Sequence, residues 1–145
     1  MNFTNLANQT TLKLSFNKIG SEGVTALANA LENIQTLQIL DLTYNQIGDQ
    51  GATALANALE NNHTLQDLKL ISNQIGADGA RALADALKNN KTLKTLDLFN
   101  NQIGDQGATA LAEVLNTTKL QTLDLFNNQI GADGARALAD ALKNN

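Results

Sequence analysis

Residues Thr36 to Asn62 read TLQILDLTYNQIGDQGATALANALENN, and two periodicities meet within them. Leu40 and Leu42 alternate with Asp41, the period-two pattern of a short strand with one face buried. Beyond Gly51 the period changes. Leu55 and Leu59 lie four apart among Ala52, Ala54, Ala56 and Ala58, with Thr53, Asn57 and Glu60 on the opposite face. This predicts an amphipathic helix of about three turns, closed by Asn61 and Asn62. Asp49 is placed to cap the start of that helix. Asp105 corresponds to it in a later copy, and Asp78 and Asp133 stand one residue further on in theirs.

The stretch is one of five. Asn17, Asn45, Asn73 and Asn101 are 28 residues apart and Asn128 follows after 27, each inside L-x-x-L-x-L-x-x-N-x-I-G-x-x-G. Two irregularities stand out: Gln9 replaces the leading Leu of the first copy, and one residue is missing between Leu115 and Leu120. All ten glycines fall on two columns, which marks a backbone requirement. A strand, a turn and a helix in 28 residues cannot bury their own leucines, so the units must stack, strand beside strand and helix beside helix. Strands pair at about 4.8 Å while helices need about 10 Å, so the sheet lines a concave face and the helices a convex one.

The columns Leu37, Leu40, Leu42, Asn45, Ile47, Gly48, Gly51, Leu55 and Leu59 resemble the leucine-rich repeats, and within them the ribonuclease-inhibitor-like subfamily found also in NOD-like receptors. The resemblance covers Thr10 to Asn145. It implies an α/β fold: a right-handed solenoid bent into a horseshoe arc, with a parallel β-sheet inside and α-helices outside. Residues 10–145 are expected to form one domain of five repeats. Residues 1–9 are expected to be a partial repeat serving as a cap, because Phe3 aligns with Leu31, Leu59 and Leu87, and Leu6 with Ile34. The resemblance also implies a ladder in which Asn17, Asn45, Asn73, Asn101 and Asn128 bond backbone groups that would otherwise be orphaned where each strand ends.

Composition narrows the chemistry. The 145 residues carry 43% apolar and 17% charged side chains, with no Pro and no Cys, which excludes collagen-like, disulfide-stapled and low-hydrophobicity disordered chains. A net charge of −4 is the wrong sign for releasing counterions from phosphates, so nucleic acid is disfavoured. Five Gly-x-x-Gly copies without an adjacent Lys read as structural, not as a phosphate cradle. His63 is the only histidine and aligns with Gln35 and Lys91 in a polar loop, so neither a soft metal site nor a cofactor is expected. No segment reaches 18 apolar residues and the start lacks a signal-peptide pattern. The expectation is a cytoplasmic protein with no membrane partner, or one delivered into a host cell without a conventional signal peptide.

What varies between copies is the open face. Columns flanking the inward leucines hold Thr11, Ile39, Asp67, Thr95 and Thr122; then Lys13, Asp41, Lys69, Asp97 and Asp124; then Ser15, Thr43, Ile71, Phe99 and Phe126. Just beyond lie Phe16, Tyr44, Ser72, Asn100 and Asn127. Asp97 and Asp124 are paired carboxylates, but an open sheet offers no burial to split their pKa values, so an enzyme is not expected. Aromatics beside acids resemble binding hot spots, and the family resemblance implies a protein partner on this face. The residues expected to bind are Ile39, Asp41, Thr43, Tyr44, Asp67, Lys69, Ile71, Thr95, Asp97, Phe99, Thr122, Asp124 and Phe126.

Five strands of five residues give a face of roughly 400 Å², half of the approximately 800 Å² that a standard interface buries on each partner. The alternatives are a structural or designed repeat scaffold without a selected ligand, or a fragment of a longer effector or sensor. Copying is visible in the sequence, since Asn73–Asn90 is identical to Asn128–Asn145. The last set of leucines has no polar unit after it, so self-association through the final repeat is also expected as an alternative.

Overall fold

A computed structural model describes residues 8–145. The expected cap at residues 1–9, with Phe3 and Leu6, lies almost wholly outside the described residues. Five units follow, each a three-residue strand and a helix: β1 (Thr11–Lys13) and α1 (Gly20–Leu31), β2 (Ile39–Asp41) and α2 (Gly48–Asn61), β3 (Asp67–Lys69) and α3 (Ala77–Asn89), β4 (Thr95–Asp97) and α4 (Gly104–Val114), β5 (Thr122–Asp124) and α5 (Ala132–Leu142). The strands form one parallel sheet in sequence order. Their register aligns Leu12, Leu40, Leu68, Leu96 and Leu123 across the sheet. Each helix packs on the next helix and each strand on the next strand, which makes the molecule an α/β solenoid.

The core lies between the sheet and the helices. Leu40, Leu42, Leu68, Leu70, Leu96 and Leu98 are fully buried from the strand side, as are Leu27, Leu83 and Leu111 from the helix side. Each buried Leu removes roughly 1.5–3 kcal/mol worth of apolar surface from water. The alanine row Ala52, Ala80 and Ala108 is fully buried, and its small side chains let neighbouring helices approach closely.

The glycines divide in a way the sequence reading did not anticipate. The helices begin at the first glycine or one residue after it, so Gly23, Gly51, Gly79, Gly107 and Gly134 lie inside the first helical turn and not before the helix. Their role is close approach: a Cβ on Gly51 would lie 2.5 Å from Val24 Cγ1, and one on Gly107 would lie 3.1 Å from Ala80 Cβ. The first column splits again. Gly20, Gly48 and Gly104 have φ of 68°, 64° and 63°, whereas Gly76 and Gly131 are extended.

The two kinds of turn alternate from α2 onward, and the residue after the glycine explains why. Gly48 and Gly104 precede Asp49 and Asp105, while Gly76 and Gly131 precede alanines. Neither Asp caps its own helix, which corrects the expectation. Asp49 Oδ1 instead accepts the backbone N–H of Gly76 at 2.7 Å and of Gly79 at 2.9 Å, at the start of α3 in the next unit. Asp105 does the same for Gly131 at 2.7 Å and Gly134 at 3.0 Å. The carboxylate thus meets the positive end of the neighbouring helix. Asp78 and Asp133 are not caps either; they form exposed i,i+3 pairs with Arg81 and Arg136, each at 3.0 Å.

Candidate functional site

The site begins with what holds the turns rigid. Asn73 donates from Nδ2 to Leu42 O at 2.9 Å and Ile71 O at 3.1 Å, and its Oδ1 accepts Asn45 N–H at 2.8 Å and Ile47 N–H at 3.4 Å. Asn101 spans the same distance, from Leu70 O and Leu98 O to the N–H groups of Asn73 and Ile75. Asn45 and Asn128 are likewise buried and bonded to the preceding strand, through Leu14 O and Leu98 O. Asn17 is exposed, and among the described residues its Nδ2 donates only to Leu14 O and Ser15 O of its own unit.

A second asparagine ladder escaped the sequence reading, which used Asn61 and Asn62 only to end the helix. Asn62 is 1% exposed; its Nδ2 donates to Leu31 O and Ile34 O, and its Oδ1 accepts Thr64 N–H and Leu65 N–H. Asn90 repeats this with Leu59 O, Asn62 O, Thr92 N–H and Leu93 N–H. Strands β3 and β4 are therefore clamped by an amide at both ends, Asn62 and Asn73 around the first and Asn90 and Asn101 around the second. The recurrence of Asn at the last position of the helix segment was the available signal.

Between the two ladders lies the open face. None of its expected binding residues is buried: Ile39, Asp41, Thr43, Asp67, Lys69, Ile71, Thr95, Asp97 and Phe99 are half-buried, and Tyr44, Thr122, Asp124 and Phe126 are exposed. The sheet register brings Asp41, Lys69, Asp97 and Asp124 side by side on consecutive strands. Phe99 and Phe126 stack with centroids 5.5 Å apart and planes 5° apart, and Phe126 is 72% exposed. A second stack, Phe16 on Tyr44 at 4.7 Å, flanks the other end. The residues Phe16, Tyr44, Ser72, Asn100 and Asn127 all have positive φ, which turns their side chains along the rim; there Asn100 Nδ2 donates to Ser72 Oγ at 2.8 Å.

The acids on this face are not equivalent. Burial works to raise Asp41, but hydrogen bonds from the Thr43 hydroxyl and backbone N–H and from Ser15, with the Lys69 charge, outweigh it and hold the carboxyl below its ordinary value. Asp97 is pushed above its ordinary value, first by burial and then by Asp124 and Asp67, against the pull of Phe99 N–H and Lys69. Asp67 Oδ1 is buried with no hydrogen-bond partner among the described residues. The β3–β5 part of the face therefore carries negative charge that its own lysine does not neutralise. Among the described residues no cluster of His, Cys, Asp or Glu could hold a metal ion, and no helix is long and apolar enough to cross a membrane.

Comparison with known proteins agrees with the fold. No curated protein matches the sequence. Among solved structures, the actin-binding site 2 of leiomodin-1 superposes with a TM-score of 0.78 at 22% identity, covering 95% of this chain and 81% of that one. The tropomodulin C-terminal domain of Caenorhabditis elegans gives 0.71 at 16% identity, covering 95% and 84%. At such identities the likeness is one of fold. The family model described as Leucine Rich repeat matches residues 10–28, 33–56, 61–84, 89–112 and 116–139, most of the chain, and on that ground the chain belongs to the leucine-rich-repeat family.

Proposed function

We propose that this chain is a non-catalytic protein-binding module that engages its partner through the concave sheet face. The observation that carries the proposal is the stack of half-buried Phe99 on exposed Phe126 beside Asp97 and Asp124, on a face none of whose expected binding residues is fully buried. Packing needs neither ring: Leu96, Leu98, Leu123 and Leu125 supply the inward side chains of the same two strands. An aromatic pair rimmed by uncompensated carboxylates suits a partner that presents apolar and basic groups together. The leiomodin-1 domain of similar fold is an actin-binding site, which supports a protein ligand for a fold of this kind.

Affinity capture with the intact chain and with Phe99→Ala/Phe126→Ala tests the proposal. The double variant should lose at least about tenfold in affinity, the effect of removing about 1.4 kcal/mol at an interface, while its melting midpoint stays near that of the parent. Equal capture by both forms would refute the assignment of this face.

A further inference from the structure

The row of side chains just past the strands changes character along the molecule. Tyr44, Ser72 and Asn100 each stand three residues beyond the last residue of β2, β3 and β4. Tyr44 stacks on Phe16 with centroids 4.7 Å apart, close to the approximately 4.8 Å between paired strands, so the rings are stacked along the row. The second face of the Tyr44 ring therefore looks along the row toward Ser72, which has no ring to cover it, and Tyr44 is 49% exposed. Asn100 bounds the gap on its far side. It is held there by donating to Ser72 Oγ at 2.8 Å and accepting from Asn127 Nδ2. The result is a cleft of about 370 Å³ at the carboxyl ends of the strands, the place where open α/β sheets bind ligands.

A second row, Gln46, Gln74, Gln102 and Gln129, lines the same cleft. All four are exposed, and none makes a side-chain hydrogen bond among the described residues. Their backbone shows that the amides are not there for the turn. Gln46, Gln74 and Gln129 have φ of 58°, 60° and 58°, a region that favours Gly and Asn over a longer side chain. Lys18 holds the same turn in the first unit at φ 52°, so the fold does not call for glutamine. Among the described residues no charged side chain lines the cleft, so it offers neither a cation to a phosphate nor an anion to an amine. The backbone is closed to an added peptide strand as well, because Tyr44 N–H and Ser72 N–H already bond Ile71 O and Phe99 O. What remains is an aromatic face beside neutral amides that both donate and accept.

We propose that this cleft binds a neutral sugar ring of a glycan, with the ring on the free face of Tyr44 and its hydroxyls on the amides of Gln46 and Gln74. A pyranose presents an apolar C–H face and a rim of hydroxyls that donate and accept, so it matches both elements at once. The asparagine ladder holds the turns in place, so the cleft is formed before a ligand arrives. Its wall, its gap and the amides of Gln46, Gln74 and Gln102 belong to the second, third and fourth units, each of which has a neighbour on both sides. The site is separate from the Phe99–Phe126 stack assigned to a protein partner.

Tyr44 is the only tyrosine and the chain has no Trp, so tyrosine fluorescence reports on this cleft alone. The test is titration of the 145-residue chain with cellohexaose, mannohexaose and chitohexaose, up to millimolar concentration. At least one should change Tyr44 emission saturably and shift the side-chain amide NMR signals of Gln46 and Gln74. Gln46→Gly/Gln74→Gly suits the positive φ at both positions, so it should melt no earlier than the parent, yet bind at least about tenfold more weakly. Tyr44→Ala should lose as much, read from the Gln74 amide signal. Should the glycine variant melt early, Gln46→Lys/Gln74→Lys replaces it on the precedent of Lys18, with the same loss expected. The proposal is overturned if none of the three sugars saturates, or if the Gln variants bind as the parent does. Tighter binding of hexagalacturonate or of a capped glutamine hexapeptide at Tyr44 would overturn it as well.

Discussion

Asn73–Asn90 and Asn128–Asn145 are the same eighteen residues in two environments. In the first, helix α3 is flanked on both sides and buries Ala80, Leu83, Ala84, Ala86 and Leu87; in the second, α5 is flanked on one side and buries only Gly134. The helix forms in both, so amphipathic pattern and a one-sided neighbour are enough for secondary structure. Burial, and with it most of the stabilisation, comes from the second neighbour. The pair separates local propensity from stacking energy without changing a side chain.

Four measurements sharpen or break that comparison. Leu83→Ala should cost about 2–5 kcal/mol, and Leu138→Ala at dilute concentration clearly less than half of that, because only the first leaves a cavity in a closed core. Urea titrations of both variants give the two values, and equal losses would mean that α5 is covered in solution. Asn90→Ala should cost about 1–3 kcal/mol by orphaning buried backbone groups, whereas Asn145→Ala, exposed and bonded only at 3.4 Å to Leu115 O, should stay within about 0.5 kcal/mol. Next comes Asp49→Ala, which removes the acceptor for Gly76 and Gly79 and should cost about 1 kcal/mol. Asp105→Ala should instead show mainly as faster amide exchange in α5, whose loss leaves the rest stacked.

The smallest effect concerns pH. Asp97 has a folded-state pKa above its unfolded value of 3.8, so the native state binds more protons in that window and stability falls as pH rises through it. Asp97→Asn should therefore stabilise modestly at neutral pH, with a gain that fades as pH drops below the unfolded value. Thermal melts at several pH values decide it, and a gain independent of pH would place the effect elsewhere.

The solenoid was legible because its signals are local and repeated: leucines at strand period, alanine-rich helix period, and asparagine at one column. The open face followed from the same alternation. What the sequence reading missed is bonding between units. Asp49 looks like a cap for α2, since it is two residues from Ile47, yet its carboxylate reaches residues 27 and 30 positions away. Nothing in a single helix's sequence distinguishes those choices. Asn62 and Asn90 were hidden for the same reason, because a residue that ends a helix by position can also clamp the preceding unit through space. The stacked Phe99 and Phe126 could be placed on one face from register alone, but the raised Asp97 beside them needed the geometry of three strands.

The reach of Asp49 and Asp105 into the following unit has a consequence for how such a chain can change length. A unit with Asp after its glycine supplies the anchor, and a unit with Ala there receives it, so the two are halves of one coupled module. Deleting β3–α3 alone would leave Asp49 facing a turn of the other class, whose glycine N–H is already directed to Asn128 O. Removing β3–α3 together with β4–α4 would instead present Asp49 with the Gly131 turn it is shaped to fit. From β2 to α5, growth and shrinkage should therefore proceed in twos, with the Asp-linked pair of units, and not the single leucine-rich unit, as the step.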